Sequence, residues 1–294
     1  MKVLLLWATE YGNRPAPGPM RELAATHRIG DGKTERTPSG ASFLSATASA
    51  RAARLELDRL LQTDASALAA RLPAGFADAA QRYVAMLLDA NARLNLTRVV
   101  EPVAVARLHL LDALAALPLI DAAAPRRAVD LGSGGGIPGL LLALARPDVA
   151  WTLVDSAGKK AAVLRSFAEA LGLHGVVVIA QRAEALGRDP LHREQYDLVT
   201  ARACATLPVL VEYALPFLRR DGMLMAWKGP LTDADPEMRR GAAAASRVGG
   251  GRPTIVDPEL PVLGGHRFVV IPKERTTPAR FPRRPGEPTR RPLG

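Results

Sequence analysis

Short runs of apolar residues recur along the second half of the chain, and each run ends in polar residues or glycine. This pattern predicts strands at residues 128–131, 151–154, 176–179, 196–199, 223–227 and 267–271. Apolar residues with helical spacing fill the intervals at residues 140–145, 159–171, 207–218 and 235–248. Because strands that alternate with helices form a parallel sheet covered on both faces, we predict a doubly wound α/β domain over residues 121–272.

The segment before this domain follows a different pattern. From about residue 50, apolar positions repeat every three or four residues, which predicts amphipathic helices. A further helix is expected from Pro102 to Leu117, with Pro118 ending it. The residues before this segment show no helical or strand period, and prolines and glycines are scattered through them. We therefore expect a disordered extension over residues 1–50 and a small helical part over residues 51–120.

The net charge of +10 over 294 residues is unevenly distributed. Residues 61–272 carry a net charge of only +2, whereas residues 273–294 carry +5. The latter segment, the C-terminal tail, also holds five prolines, which oppose a helix and favour an extended, solvated chain. We interpret the tail either as a segment that promotes solubility or as an arm that lies along a phosphate backbone.

A single cysteine, Cys204, excludes an intramolecular disulfide and a metal centre built from thiolates. We expect no metal ion, and we expect Cys204, which lies between two alanines, to be a small core residue. No apolar run reaches the ~18 residues that a membrane-spanning helix requires. The apolar stretch at the start of the chain is too short for a usual secretion signal. We expect a cytoplasmic monomer without a membrane partner.

The most informative motif is a glycine loop at residues 130–139, Asp-Leu-Gly-Ser-Gly-Gly-Gly-Ile-Pro-Gly. The loop follows a predicted strand and begins a predicted helix, and glycines let a ligand approach the bare backbone. Asp155 ends the next strand, 19 residues after Gly136. An acid at that position can accept hydrogen bonds from the hydroxyls of an adenosine ribose. The two features predict a nucleotide-type cofactor at the carboxyl edge of the sheet.

Two families of cofactor fit the loop. The spacing Gly134-x-Gly136-x-x-Gly139 satisfies the dinucleotide pattern, which leaves a nicotinamide-dependent oxidoreductase as an alternative. The spacing from Asp130 through Gly136 resembles the first motif of class I S-adenosylmethionine methyltransferases, with Asp130 near the amino-acid part of the cofactor. Residues 181–184 follow the third strand, where such enzymes place groups around the adenine. These features favour S-adenosylmethionine, and a methyltransferase of small metabolites stays a second alternative.

Six ordered motifs, from about residue 55 to the C-terminus, resemble one family, the bacterial small-subunit rRNA methyltransferase G, also called glucose-inhibited division protein B. They comprise residues 95–97 with 107–112, 130–139, 153–160, 181–184 with 201–203, 228–229 and 277–293. The resemblance implies a class I methyltransferase fold with a small N-terminal helical part. It also implies methyl transfer from S-adenosylmethionine to N7 of a guanine in the 530 loop, in the decoding region of 16S rRNA. The partner would be 16S rRNA or the small ribosomal subunit.

The resemblance also indicates which residues form the site. The residues expected to bind the cofactor are Asp130, Gly132, Ser133, Gly134, Gly136, Ile137, Asp155, Ser156, Ala183, Glu184 and Arg202. Guanine N7 carries no proton, so no general base is needed, and we expect Arg202 and Lys228 to position the base through O6. The residues expected to bind RNA are Arg107, Lys159, Lys160, Arg280, Arg283 and Arg284. His109 either meets RNA or ties the helical part to the core, and the second role is favoured.

Overall fold

A computed structural model describes residues 40–294, so residues 1–39 of the extension predicted for residues 1–50 lie outside the described residues. The first helix, α1, begins at Gly40 rather than near residue 50, so the predicted boundary of the helical part was too late. The helical part consists of α1 (Gly40–Thr63), α2 (Ser66–Ala69), α3 (Phe76–Leu94), α4 (Pro102–Val105), a π-helical turn (Ala106–Leu111), α5 (Asp112–Leu114) and α6 (Leu117–Ala123).

Pro118 does not end a helix, as the sequence suggested. It lies in the first turn of α6, where a missing backbone N–H leaves no hydrogen bond unmade. Among the described residues, Pro102–Ala123 is long and apolar enough to span a membrane, with a mean hydropathy of 1.8, although no such run was expected. However, 72% of its most apolar window is buried inside the fold. The apolar side chains of this stretch therefore contribute to the core of the protein.

A seven-stranded sheet forms the centre of the second part, with the strand order β3-β2-β1-β4-β5-β7-β6. The strands are β1 (Arg127–Leu131), β2 (Ala150–Asp155), β3 (Val176–Ala180), β4 (Tyr196–Arg202), β5 (Leu218–Lys228), β6 (Thr254–Val256) and β7 (Arg267–Pro272). The first five are parallel, as predicted, but β7 is antiparallel to β5 and β6 is antiparallel to β7. The sheet is therefore mixed, and the sequence pattern missed β6 because it is a three-residue edge strand.

Helices cover both faces of the sheet. They are α7 (Gly139–Ala145), α8 (Gly158–Ala170), α9 (Ala183–Leu186), α10 (Leu207–Ala214), α11 (Pro236–Val248) and α12 (Glu287–Arg290). Ala128 of β1 points into a core shared with α7, α8 and the helical part, whereas its neighbour Val129 points into a core formed with α10 and α11. This alternation explains why the central strands are apolar on both faces and why the helical part is an integral layer of the fold.

The C-terminal tail is not the solvated, extended chain that its prolines suggested. Phe281 and Leu293 are buried in the core beneath α10, and Glu287–Arg290 forms a short helix despite the nearby prolines. Arg193 donates hydrogen bonds to the carbonyl oxygens of Phe281 and Thr277, each at 2.8 Å. The prediction was wrong because these partners lie more than 80 residues away in the sequence and cannot be inferred from local composition.

Candidate active site

The glycine loop connects β1 to α7 and lies at the carboxyl edge of the sheet. Gly132, Gly134 and Gly136 have positive φ angles of 70°, 56° and 101°, which L side chains rarely adopt. A Cβ atom on Gly139 would lie 2.5 Å from a side-chain carbon of Leu153, so this glycine allows close packing of helix and strand. The sequence therefore requires glycine at these positions for the backbone conformation as well as for ligand access.

Asp155, at the end of β2, holds the loop in place. Its Oδ2 accepts a hydrogen bond from the Gly134 backbone N–H at 2.9 Å, and its Oδ1 accepts one from the Ala157 N–H at 2.8 Å. A carboxylate has about four acceptor positions, so two remain for further donors such as ribose hydroxyls. The predicted neighbour Ser156 is exposed beside it. The arrangement is compatible with the predicted ribose contact and adds a structural role for Asp155.

Asp130, at the end of β1, is a buried acid with an incomplete set of hydrogen bonds. Its Oδ1 accepts from the Thr200 hydroxyl at 2.7 Å, whereas Oδ2 is the buried side-chain polar atom without a hydrogen-bond partner in the described part of the chain. Burial raises the pKa of Asp130 to about 6, although the Thr200 hydrogen bond opposes the shift. A carboxylate behind the loop fits a cofactor with a cationic group and disfavours a pyrophosphate.

The residues that follow β3 contact the C-terminal tail. Ala183 begins α9, and the adjacent Glu184 is buried, as a residue near an adenine would be. Its Oε1 accepts a hydrogen bond from the Gly286 backbone N–H at 2.8 Å. The carboxylate therefore anchors the tail beside the region where the adenine was predicted, and a direct contact with the cofactor stays a prediction.

Arg202, at the end of β4, is bound to the helical part. Its guanidinium donates to the Leu108 carbonyl oxygen at 2.6 Å and to Asp112 Oδ2 at 2.9 Å. The ring of His109 lies between two partners, with Nδ1 3.1 Å from Arg202 and Nε2 2.8 Å from the Thr97 hydroxyl. Burial, followed by the charge of Arg202, lowers the pKa of His109 to about 4. His109 is therefore neutral and ties the two parts of the fold together.

A pocket of about 350 Å³ lies beside Arg202, between the ends of β4 and β5. It is lined by Asp112, Ala201, Arg202, Ala203, Cys204, Ala205, Leu210, Trp227, Lys228, Gly229 and His266. Lys228 Nζ donates to the Ala205 carbonyl oxygen at 3.0 Å and to Glu237 Oε1 at 2.7 Å, which leaves one donor for a ligand. Arg202 and Lys228, which end the neighbouring strands β4 and β5, therefore line the same pocket.

Cys204 was predicted as a core residue, and this was wrong. It is exposed on the loop after β4, and its Sγ lies 3.0 Å from the place that a Cβ on Gly132 would occupy. Desolvation of the thiol by the surrounding protein and, to a smaller extent, the negative charges of Asp130 and Asp155 raise the pKa of Cys204 to about 11. The thiol is protonated at neutral pH, so it is a poor nucleophile although it lines the pocket.

The sequence did not reveal how the helical part covers the loop. The buried Tyr83 of α3 donates its hydroxyl hydrogen to the Gly135 carbonyl oxygen at 2.9 Å. A Cβ on Gly135 would lie 2.8 Å from Leu87 and 3.3 Å from Leu96. The spacing of apolar residues predicted an amphipathic helix in this segment, but only the tertiary structure shows that its buried face packs against the glycine loop.

The six residues predicted to bind RNA fall into two groups. Arg107, Lys159, Arg280 and Arg284 are exposed and Lys160 is half-buried. Arg283, in contrast, is paired with Glu212, an acid of α10 that is wholly inaccessible to solvent. A buried carboxylate holds its guanidinium through three hydrogen bonds of 2.6–3.1 Å, which gives Arg283 a structural role, and a contact with RNA stays a prediction.

Comparison with known proteins identifies one family. A family model described as rRNA small subunit methyltransferase G matches residues 77–249. The ribosomal RNA small subunit methyltransferase G of Deinococcus deserti is 46% identical over 209 residues, which are 71% of this chain and 85% of that protein. The protein of the same name from Roseiflexus sp. is 44% identical over 239 residues, which are 81% of this chain and 100% of that protein.

Solved structures are more distant. A Thermus thermophilus 16S rRNA N2 G1207 methyltransferase in complex with AdoMet and guanosine matches with a TM-score of 0.37 and 20% identity, over 52% of this chain and 36% of that chain. An O-methyltransferase from Bacillus cereus in complex with SAH matches with a TM-score of 0.46 and 19% identity, over 65% and 91%. Likenesses at this level carry no conclusion about substrate.

Proposed function

Because the chain belongs to the rRNA small subunit methyltransferase G family, we propose that it methylates N7 of a guanine in the 530 loop of 16S rRNA. Membership in this family makes the chain an S-adenosylmethionine-dependent methyltransferase of the small-subunit rRNA. The observation that supports guanine N7 is the pocket beside the glycine loop, which offers hydrogen-bond donors from Arg202 and Lys228. Guanine O6 lies next to N7 and accepts such hydrogen bonds.

The reaction at N7 is compatible with this pocket because it needs no proton transfer. S-adenosylmethionine supplies an electrophilic methyl group when it is bound at the glycine loop. The lone pair of N7 forms the new N–C bond, the C–S bond breaks, and its electron pair stays on sulfur. Alignment of the reactants is then the main contribution of the protein, and alignment can supply ~7–11 kcal/mol. The absence of an ionised thiol at Cys204 agrees with a reaction that uses no protein nucleophile.

We assign the binding residues on the same basis. Asp155 and Ser156 would meet the ribose, and Asp130 would balance the positive charge of the amino-acid part. The remaining cofactor contacts would come from Gly132, Ser133, Gly134, Gly136, Ile137, Ala183, Glu184 and Arg202. These assignments follow the residue-by-residue match of the motifs, and the loop geometry supports them.

We further propose that the partner is 16S rRNA or the assembled small ribosomal subunit. The exposed Arg107, Lys159, Lys160, Arg280 and Arg284 would contact phosphates. We also propose that the protein is a cytoplasmic monomer without a membrane partner. The one apolar stretch of membrane-spanning length among the described residues is mostly buried in the fold.

Methyl transfer from labelled S-adenosylmethionine tests the proposal. The substrates are small ribosomal subunits, naked 16S rRNA and free nucleosides, and the product is digested and identified by mass spectrometry. We expect label in N7-methylguanosine from the 530 loop of one or both RNA substrates. Asp155→Ala is the control for cofactor dependence, and it should give less label at a limiting concentration of S-adenosylmethionine. Label on a free nucleoside but on neither RNA would overturn the proposal, and so would label at another atom of the base.

A further inference from the structure

The pocket contains a histidine that the cofactor motifs do not include. We propose that His266, held by the buried Asp112, accepts a hydrogen bond from N1–H of the target guanine and so selects guanine during methyl transfer. The inference rests on the proposed function and assigns a further catalytic residue to the same site.

Asp112 links three elements of the fold at this point. Its Oδ1 lies 2.9 Å from His266 Nδ1, and its Oδ2 accepts from Arg202 at 2.9 Å. Its backbone carbonyl oxygen accepts from Trp227 Nε1 at 3.0 Å. The carboxylate is almost wholly inaccessible, with 2% of the side chain exposed, whereas 36% of the His266 side chain is exposed. Asp112 therefore fixes a ring that faces the pocket.

This pairing determines the tautomer of the ring. A carboxylate can only accept, so Nδ1 of His266 carries the hydrogen that is donated to Asp112. In the neutral ring the lone pair is then on Nε2. Among the described residues, no hydrogen bond is formed by Nε2 of His266, and the ring lines the pocket. Nε2 is available to accept a hydrogen bond from a base that enters there.

Guanine offers the matching donors on its N1 and N2 atoms, whereas adenine has an unprotonated N1. As the N7–C bond forms and the C–S bond breaks, positive charge passes from sulfur to the purine, and the N1–H bond becomes more polar. The proton stays on the base, and the hydrogen bond to Nε2 is stronger in the transition state than in the ground state. An interaction of that kind accelerates the chemical step rather than substrate binding alone.

The charges around His266 set the pH at which Nε2 can accept. The hydrogen bond to Asp112 raises the pKa of His266 above its ordinary value, whereas partial burial and the charges of Arg202 and Arg107 lower it. Lys228 also lines the pocket. Below its pKa the ring is a cation that cannot accept at Nε2. The rate should therefore rise with pH through a pKa above 6.5.

Two variants test the inference. His266→Ala should lower kcat about 10- to 100-fold with little change in the affinity for S-adenosylmethionine. His266→Gln retains an acceptor oxygen that does not titrate, so it should recover part of the rate and lose the rise with pH. His174→Gln is the matched control, because His174 is exposed and does not line this pocket. Unchanged pH profiles in both His266 variants would overturn the inference.

The substrate provides an independent test. In small-subunit rRNA that carries 2-aminopurine at the target position, N7 is present but N1–H and O6 are absent. The wild-type enzyme should methylate this RNA slowly, and His266→Ala should be no slower than wild type. A rate loss in His266→Ala of the same size on guanine and on 2-aminopurine would contradict the proposed contact. If the wild-type enzyme forms no N7-methylguanosine at all, the proposed function fails instead of this inference.

Discussion

Two buried acids, Asp130 at the glycine loop and Glu212 beneath the tail, differ in how completely they are bound. Asp130 has one oxygen without a hydrogen-bond partner. Both oxygens of Glu212 accept hydrogen bonds from the Arg283 side chain, and Oε1 also accepts from the Arg283 backbone N–H. A buried polar group without a partner is unfavourable unless a ligand completes it. The comparison associates the incomplete acid with binding and the completed acid with structure.

The same contrast separates two arginines for which the sequence analysis predicted ligand contacts, Arg202 with the cofactor and the base and Arg283 with RNA. Arg202 and Arg283 each pair with a buried acid. Arg202 lines a pocket, whereas Arg283 joins the tail to α10 and donates to the Arg291 carbonyl oxygen at 2.8 Å. The positive charge of the tail therefore comes from two kinds of arginine. Arg283 attaches the tail to the fold through Glu212, whereas Arg280 and Arg284 are exposed to solvent.

The largest effect is expected at the completed acid. Arg283→Ala would leave Glu212 buried and unpaired, which should lower the free energy of unfolding by about 3–5 kcal/mol. Urea denaturation at pH 7 measures this loss. The control Arg284→Ala removes the neighbouring, exposed arginine and should change stability by no more than about 0.5 kcal/mol. Equal effects of the two substitutions would break the distinction between the arginines.

Asp130, the acid with an unpartnered oxygen, should make the stability of the protein depend on pH. The folded pKa of Asp130, about 6, lies above the ordinary value of 3.8, so the folded protein binds more protons in this interval. Stability should therefore fall as the pH rises from about 4 to 6, by about 3 kcal/mol from this group. Asp130→Asn should remove that fall, as measured by urea titrations at several pH values. The exposed Asp148→Asn should not, and an identical pH dependence in all three proteins would contradict the assignment.

The sequence predicted the central architecture because its signals are local. Apolar runs located β1 to β5 and β7, and the glycine loop indicated which edge of the sheet holds the site. The antiparallel direction of β7 could not be inferred, because a run of four apolar residues is the same in either direction. The first part of the chain was predicted as a small helical part, and its helical spacing gave no indication that Tyr83 binds the loop 52 residues away.

The remaining errors concern contacts between distant residues. The bond between Gly286 and Glu184 spans 102 residues, and the bond between Arg283 and Glu212 spans 71. The proline content of the tail is a local property, so it gave no information about these distant hydrogen-bond partners. The pocket shows a similar limit, because Asp112 and His266 are 154 residues apart and neither belongs to a recognisable motif with the other. Local sequence patterns located the glycine loop, whereas only the tertiary structure shows that Asp112 and His266 pair in the pocket.

A smaller effect is expected at Asp155, which holds the glycine loop and still has free acceptor positions for a ligand. Asp155→Ala removes the acceptor of the Gly134 and Ala157 amides and the proposed ribose contact. The affinity for S-adenosylmethionine should fall about 10- to 100-fold, which corresponds to about 1.4–2.7 kcal/mol. Calorimetric titration measures the loss, and Asp148→Ala serves as the control. An unchanged affinity would remove Asp155 from the cofactor site and leave it a purely structural residue.

The smallest effect should come from the exposed Arg280 and Arg284 of the tail, because neither forms an ion pair with an acid among residues 40–294, whereas Arg283 does. The double substitution of Arg280 and Arg284 by alanine should leave the folding stability nearly unchanged. If both contact phosphates, the slope of log K against log salt concentration for binding to 16S rRNA should decrease by about 0.7–0.9 for each arginine removed. Filter binding at several salt concentrations measures this slope. Arg252→Ala is a suitable control, because this arginine is also exposed but does not belong to the tail. A slope that stays the same in the double variant would show that neither exposed arginine meets RNA, so that the tail stabilises the fold without taking part in binding.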